Sequence, residues 1–534
     1  MMSHSSLANT DQKQKLWANT VRLSLFLTAC ASIITLILNW KSNPIRVELI
    51  PFQGQIFEGL LELRFDTLSM ILLLMVSTLG TLISHYAYRY LDGEPQQSYF
   101  YRWLLLTLAS VSILITSNHL ITLFLAWFST SLSLNQLLIY YRNKPNAQKA
   151  AFKKFVVSRT GDLFIMSAIA LIYHQFHTLH LDQIFQDCRA LSSTDGIDFK
   201  LSLSAILLVL GALTKSAQFP FHFWLPETME TPTVVSALMH AGVINAGGFL
   251  VIRLNPILQL EPLAGILLTI MGCITAVFAS LVMITQNDIK KKLAYSTICQ
   301  MGMMMTACGL GAYSLALFHI VMHSFYKAHA FLSTGMIVEE SKKISLKPKK
   351  SSLVVLTSIF LGTLLLTWGF TLDSKPLASL IYISVLSLGF AQNLGSLWGD
   401  QPISNSSALR TVYIRTTFVL CLAVGIAAFF EYHLSVGLDP LISKPLSTYP
   451  YELDAISWNI LCTSVLLFFS ISYILSSILL HSHHPLARRL YVYFWNGGYL
   501  SAFSDQLWKL NRHSLKRSKA IHTQGIQTQE VFHA

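Results

Sequence analysis

Titratable side chains stand inside segments of this sequence that are otherwise apolar. Lys215 follows the run LSLSAILLVLGALT and precedes Pro220, and His240 lies midway along VVSALMHAGVINAGGFLVI. A lysine at the centre of a membrane helix costs roughly 3 kcal/mol, so it usually faces a protein interior or water. Pro220 removes a helical hydrogen bond, and the carbonyl that it frees also needs protein or water. The pattern predicts that Lys215 lies at a helix break inside a membrane bundle, whereas a buried histidine bonded to a carbonyl explains His240 equally well.

A second group of titratable residues follows helical spacing. His319, His323 and Lys327 repeat at every fourth residue, so on a helix they climb about 12 Å along one side. A histidine titrates near neutral pH and a desolvated lysine can approach it, so such a row suits proton transfer. A polar seam between helices is the alternative. A zinc site is a third and weaker one, because no carboxylate or cysteine accompanies the histidines.

Two opposite charges share one face of another apolar helix. Arg159 and Asp162 stand three residues apart in FVVSRTGDLFIMSAIALIY. At that spacing they can neutralise each other within the membrane. A structural ion pair that steadies the bundle and a place on a proton path are both consistent with this pattern.

The composition indicates which elements must position these residues. The chain has 534 residues, of which 53% are hydrophobic and 12% charged, so it cannot cover its apolar segments with polar surface. We predict an all-α polytopic membrane protein with about fourteen transmembrane helices, each long enough for the hydrocarbon layer. The predicted helices are 21–40, 66–90, 101–117, 118–141, 152–176, 200–219, 234–253, 260–285, 292–312, 313–338, 351–371, 376–398, 410–431 and 456–480.

The distribution of positive charge predicts orientation. With alternating helices, most of the lysines and arginines collect on the side of the N-terminus, the even-numbered connections and the tail. The positive-inside rule then places both termini in the cytoplasm. The predicted organisation is a cytoplasmic N-terminal tail at 1–20, a transmembrane domain at 21–480 and a cytoplasmic tail at 481–534. Within that tail, Pro485 to Leu510 predicts two short amphipathic helices that anchor at the membrane surface or dock a partner.

Motifs for bound cofactors are missing from the sequence. The seven cysteines form no CxxC or zinc-ligand spacing, and no G-x-G-x-x-G or Walker A loop occurs. The basic residues are spread over several loops without a nucleic-acid-binding module. We therefore expect no catalytic residue, metal or other cofactor on this chain, and no nucleic-acid partner.

Four stretches together resemble a known family. FVVSRTGD, GALTKSAQFPFHFWLPETMETPTVVSALMHAG, NDIKKKLAYSTICQMGMM and HIVMHSFYKAHAFLSTG are similar to the antiporter-like subunits of respiratory complex I and of Mrp-type sodium/proton antiporters, over about residues 65–340. The resemblance implies inverted five-helix repeats with broken helices. It also implies that Lys215, His240, His319, His323 and Lys327 form a hydrated axis for cation, chiefly proton, translocation.

Two departures from that family pattern matter. The family carries a glutamate after a tryptophan, paired with the central lysine, whereas here Phe128 follows Trp127. The lysine of the second repeat has only a loose counterpart in Lys375. These departures, with the ending RRLYVYFWNGGYLSAFSDQLWKL, resemble the DabB family of membrane subunits from DAB inorganic-carbon transport complexes.

The DabB resemblance carries its own implications. It implies a bacterial inner-membrane location and a DabA-like zinc protein, similar to carbonic anhydrases, as partner. Cation flow through the membrane subunit would power hydration of CO2 to bicarbonate on that partner, whose zinc would activate the water. A subunit of complex I or of an Mrp antiporter, and a non-conducting scaffold for the partner, are the alternatives.

Overall fold

The computed structural model describes residues 4–38, 44–51, 58–191, 198–334, 455–481, 484–501 and 505–506. These residues are almost entirely helical, and seven helical stretches among them, one of which is the interrupted stretch Thr233–Arg253, are long and apolar enough to cross a membrane. The predicted class of helical membrane protein is therefore confirmed. The predicted helices 351–371, 376–398 and 410–431, together with Lys375, lie outside the described residues.

Most of the described helices coincide with predicted ones. Their bounds are α1 His4–Leu38, α2 Thr67–Tyr90, α3 Gln97–Thr116, α4 Leu120–Leu138, α5 Pro145–Phe176, α6 Leu181–Leu191, α7 Phe199–Lys215, α8 Thr233–Ala241, α9 Ala246–Arg253, α10 Asn255–Leu258, α11 Pro262–Thr285, α12 Ile289–Gly309, α13 Tyr313–Leu332, α14 Ala455–His481 and α15 Pro485–Trp495. Short α6 and α10 were not predicted. Helix α1 begins inside the stretch predicted as an N-terminal tail, so that stretch is helical from His4 onward.

A small β-hairpin is the departure from the all-α prediction within the described ranges. Strands β1 (Ile45–Glu48) and β2 (Glu62–Phe65) pair antiparallel, with Ile45 opposite Phe65 and Glu48 opposite Glu62. Each strand has only four residues, which is too short for an alternating pattern to stand out from a polar loop. The hairpin lies beside the starts of α2 and α4, where Leu63 and Ser117 form an isolated bridge.

Two of the predicted transmembrane helices are interrupted. Helix α7 ends at Lys215, five residues before Pro220, and the chain continues as a 3-10 segment, Phe221–Glu230. Between them, Ala217 has a left-handed backbone with φ of 48°. The span predicted at 234–253 is also divided, into α8 and α9, by Gly242 and a short 3-10 turn at Val243–Asn245. The predicted break beside Lys215 is present and begins at Lys215 itself.

Side chains satisfy the backbone groups that the first break leaves without helical partners. Gln218 Nε2 donates a hydrogen bond of 2.9 Å to the carbonyl of Ser216. The Phe219 amide donates to Thr275 Oγ1 at 2.9 Å. A non-helical backbone within a membrane is stable only when protein or water makes such bonds. The break is therefore built from specific polar residues.

Glycines bring the broken helix close to α5. A Cβ on Gly161 would lie 2.1 Å from Thr214 Oγ1, and one on Gly211 would lie 2.5 Å from Ile165. Both distances are shorter than any real Cβ contact, so the two helices approach as closely as they do because neither position carries a side chain. This approach places Arg159 and Asp162 of α5 beside the end of α7.

Glycines also allow close contact between α11 and α12. A Cβ on Gly302 would meet the Ala276 amide at 2.6 Å and the Gly272 carbonyl at 2.7 Å. Both neighbours are backbone atoms and cannot turn aside. Gly302 is therefore required for the contact between these two helices.

We expect Gly302→Val to destabilise the folded chain by on the order of 3 kcal/mol, because the added side chain must push two backbones apart. Thermal unfolding of the detergent-purified protein measures the effect. Ile270→Val is the control, since Ile270 lies on α11 and is 47% exposed. Equal unfolding midpoints for both variants would show that the α11–α12 contact can accommodate a side chain at residue 302.

Candidate ion-translocation site

Lys215 is held by neutral groups of α4. Its Nζ donates to Ser131 Oγ at 2.7 Å and to the carbonyl of Trp127 at 3.2 Å. The same ammonium lies 4.4 Å from the centre of the Trp127 ring. The lysine is only 7% exposed. A carbonyl, a hydroxyl and an aromatic face thus stabilise the cation without an opposite charge in direct contact.

Trp127 also joins Lys215 to the ion pair of α5. Its indole N–H donates to Asp162 Oδ1 at 3.1 Å, and Asp162 Oδ2 lies 2.8 Å from Arg159 Nη2. The Arg159 guanidinium lies 4.0 Å from the centre of the Phe128 ring. The position at which the resembled family carries a glutamate is therefore an aromatic support for an arginine. The carboxylate near Lys215 comes from Asp162, with one indole between them.

A second buried cluster contains His240 and Lys327. His240 Nδ1 lies 3.2 Å from Thr297 Oγ1, and the Thr297 hydroxyl donates to the carbonyl of Leu293 at 3.0 Å. Lys327 Nζ donates to that same carbonyl at 3.1 Å. With the Thr297 proton directed at Leu293, the tautomer that fits this geometry carries the proton on Nδ1 and the lone pair on Nε2. Among the described residues no hydrogen-bond partner faces that Nε2.

The predicted row on α13 is present as one buried face. The rings of His319 and His323 are stacked with their centres 6.0 Å apart. His319 is 8% exposed, His323 5% and Lys327 0%. His323 has no hydrogen bond on either ring nitrogen within the described part of the chain. His329, on the same helix, is exposed and lies on another face.

The second helix break connects the two clusters. Ser216, which follows Lys215, donates through Oγ to the carbonyl of Ile244 at 2.8 Å. The next residue, Asn245, donates through Nδ2 to Ser324 Oγ at 2.8 Å, beside His323 on α13. Polar contacts therefore run from the Lys215 cluster to α13 through the backbone that the break exposes.

Ion pairs at the other end of α9 were not predicted from the sequence. Arg253 Nη1 and Nη2 contact the Asp66 carboxylate, and Nη2 also donates to Ser69 Oγ at 2.6 Å and to the Ile115 carbonyl at 3.1 Å. Arg64 adds a second cation, 3.0 Å from Asp66. Each residue merely borders an apolar run, so no local pattern could indicate a pairing across so many residues.

The Asp66 carboxylate caps α2 just before its membrane-spanning residues. Burial acts to raise the pKa of Asp66, but Arg253 and Arg64 oppose it and hold that pKa well below its usual range. A depressed carboxyl pKa stabilises the fold above the unfolded-state pKa, and the benefit is lost as pH falls through the folded-state pKa. The ion pair between Asp66 and the two arginines therefore stays formed at neutral and mildly acid pH.

We expect Asp66→Asn to destabilise the chain by roughly 3 kcal/mol at neutral pH, because Arg253 is left buried without its counter-charge. The loss should stay constant down to about pH 5 and shrink only at more acid pH. Asp288→Asn is the matched control. Asp288 also caps a helix, accepting from the Lys291 amide at 2.9 Å, but it is exposed. Thermal unfolding of both variants at several pH values decides. An equal loss for Asp288→Asn would assign the effect to the negative charge at a helix N-terminus, because asparagine caps a helix as well as aspartate.

Two family models match the chain. The model of the transmembrane region of NADH:quinone oxidoreductase and Mrp antiporters matches residues 117–391. The model of the N-terminus of complex I chain 5 matches residues 55–101. The first covers both clusters.

Individual proteins are similar over most of the chain. The probable inorganic carbon transporter subunit DabB2 of Halothiobacillus neapolitanus is 36% identical over 69% of this chain and 69% of its own. The probable DabB of Hydrogenovibrio crunogenus is 33% identical over 82% of this chain and 81% of its own. A chain of the Mrp complex from Dietzia sp. DQ12-45-1b superposes with a TM-score of 0.56 at 22% identity, covering 94% of this chain and 58% of that one.

Proposed function

The chain belongs to the family of antiporter-like membrane subunits of NADH:quinone oxidoreductase and Mrp antiporters, on its DabB branch, and from that premise we propose that it conducts protons for an inorganic-carbon accumulation complex. In this proposal the subunit contributes downhill proton flow, which passes through Lys215, His240, His319, His323 and Lys327. The observation that carries the proposal is that Lys215 and Lys327 are buried against neutral acceptors and joined through two helix breaks.

Neutral acceptors distinguish a site that exchanges protons from one that only holds the fold. A carbonyl or hydroxyl accepts a hydrogen bond from an amine as well as from an ammonium. Lys215 can therefore lose its proton without leaving a buried counter-charge unpaired. Arg253 differs, because its partner is a carboxylate and removing either charge is costly.

The chemistry of the two clusters favours the proton over the sodium ion. Sodium needs several oxygen ligands, but the oxygens of these clusters already accept hydrogen bonds from Lys215 and Lys327. The other polar groups are ammonium groups, which repel a metal cation, and imidazoles, which bind protons. Among the described residues no group of three or more His, Cys, Asp or Glu could hold a metal ion. Nitrogen bases at close intervals suit proton transfer.

The named relatives support the coupling to carbon. They are described as probable inorganic carbon transporter subunits, and we extend that role to this chain. The partner in the proposal is a DabA-like zinc protein, on which zinc activates water for CO2 hydration. We also propose a bacterial inner-membrane location with both termini cytoplasmic, from the distribution of lysines and arginines, and the inverted five-helix repeats that the family resemblance implies. An antiporter subunit is the second candidate, favoured by the description of the larger matching family model.

Alanine at Lys215, His323 or Lys327 should abolish or strongly reduce rescue of a host that requires high CO2, because each change removes a proton-carrying group. His329→Ala and Lys144→Ala are the controls. Both residues are exposed, and Lys144 forms a surface ion pair with Glu230. The amount of chain in the membrane and of co-purified partner should stay unchanged in all five. Full rescue by Lys215→Ala would contradict conduction and favour a scaffold.

The C-terminal segment provides a candidate docking surface for the partner. One side of α15 packs on the bundle, with the Phe494 ring 6.1 Å from Phe278 and the Trp495 carbonyl accepting from Gln286 Nε2 at 3.0 Å. The rest of α15 leaves Leu486, Val492, Tyr493 and Trp495 exposed, and Tyr499 in the 3-10 turn that follows is exposed as well. Aromatic residues of this kind are enriched at protein interfaces.

We expect truncation after His484, or the double change Trp495→Ser with Tyr499→Ser, to leave the chain in the membrane but lose the partner on purification. Leu263→Ser is the control, because Leu263 is 51% exposed at the start of α11. If both altered chains still co-purify with a stoichiometric amount of partner, the partner must bind at another surface. The segment Lys342 to Lys350, outside the described residues, would be the next region to test.

A further inference from the structure

Two consecutive buried lysines of α5 have opposite surroundings. Lys153 is 2% exposed and Lys154 3%. Lys153 Nζ lies 2.5 Å from a carboxylate oxygen of Glu227 and 2.5 Å from one of Asp505. Lys154 contacts no carboxylate within the described residues, and its Nζ donates to the carbonyl of Ser131 at 2.5 Å. Lys153 therefore has the surroundings of a structural buried lysine, and Lys154 does not.

Ser131 holds Lys154 and Lys215 at once. Its carbonyl accepts from Lys154, and its hydroxyl accepts from Lys215. The two nitrogens therefore lie within the span of a single residue, in a buried place where charges interact more strongly than in water. Lys215 has a second acceptor and the face of the Trp127 ring, which favour the ammonium form. Lys154 has one carbonyl, to which a neutral amine can also donate.

The charge balance around Ser131 disfavours two ammonium groups. The charged side chains that α5 and α7 bring there are Lys154, Arg159, Asp162 and Lys215, and Asp162 is already engaged by Arg159 at 2.8 Å. Trp127 and Phe128 of α4 are neutral. With both lysines protonated, three cations would face one carboxylate in a buried site, which is costly.

We propose that Lys154 is the proton-exchange partner of Lys215, the two lysines holding one ammonium charge between them. This inference rests on the proposed proton conduction. A proton that leaves the Lys215 ammonium converts it to an amine, and uptake by the Lys154 amine leaves the charge of the pair unchanged. Each lysine thus disfavours the proton on the other, and a proton that arrives at one promotes release from its neighbour.

Opposite substitutions at Lys154 separate this role from a structural one. In Lys154→Met no proton can arrive at residue 154 to repel the one on Lys215, so Lys215 keeps its proton and the pH profile of flux moves to higher pH. In Lys154→Arg the charge is permanent, so Lys215 releases its proton more readily and the profile moves to lower pH. We expect shifts of roughly one pH unit or more in each direction, with at least tenfold slower flux at the wild-type optimum.

The measurement is proton flux into liposomes that contain the chain purified with its co-expressed partner and an internal pH dye, over a range of pH. Lys144→Met and Lys144→Arg are the controls, and both should keep the wild-type profile.

Proton flux by the wild-type complex that is lost in Lys215→Ala tests the proposed function separately. If Lys154→Met fails to accumulate, Lys154→Arg decides, because arginine keeps a donor for the Ser131 carbonyl. A wild-type profile for Lys154→Arg, or equal shifts in one direction for both variants, overturns the inference.

Discussion

The structure depends on how buried backbone groups are satisfied where two membrane helices break. A polar group without a partner in hydrocarbon costs several kcal/mol, so a helix can end there only if side chains replace the lost bonds. After Lys215 these bonds come from Gln218 and Thr275, and at the second break Ser216 bonds the Ile244 carbonyl. The same residues that make the breaks tolerable place polar groups in the middle of the bundle.

The buried lysines in the middle of the bundle have neutral hydrogen-bond partners, whereas charged residues near its ends form ion pairs. Near the start of α2, Arg253 and Asp66 are paired directly. Near the start of α5, Lys153 joins Glu227 to Asp505 of the C-terminal segment. Burial raises the pKa of Asp505, but hydrogen bonds and charges from Lys149 and Lys153 outweigh it and lower the pKa. Ion pairs hold the ends together, whereas Lys215 and Lys327 rest on groups that tolerate a change of protonation.

The sequence predicted the elements and the titratable residues better than it predicted their partners. Apolar runs located α2 to α4, α11 and α12 within a few residues, because span length is set by the bilayer. Helix α5 begins at Pro145, before its predicted start at 152, and α13 ends at Leu332, before its predicted end at 338. Pro220 located the first break for a local reason. The interruption at Gly242 had no comparable signal, because a glycine is tolerated inside many membrane helices. Nothing local indicated the hairpin.

Partners escaped prediction because they are distant in sequence. Arg159 and Asp162 could be paired because they share a helix face. The partners of Ser131, Thr297 and Arg253 lie far away in sequence and are known only from the folded structure. Lys154 shows the limit most clearly. From the sequence it is one of two adjacent lysines near a helix start, and only the direction of its side chain separates it from Lys153.

Phe128 shows how the site works without the glutamate of the resembled family. A carboxylate beside Lys215 would stabilise the ammonium by Coulomb attraction, about 4 kcal/mol at 4 Å with an effective dielectric constant of 20. Here the ring of Phe128 lies under Arg159 instead, and Arg159 engages Asp162. The charge state of Lys215 then depends on attraction from Asp162 across one indole, on repulsion from neighbouring cations and on the neutral groups of Trp127 and Ser131. In such a site protonation is controlled by which neighbour carries the positive charge, so a second lysine does the work that a paired carboxylate does elsewhere.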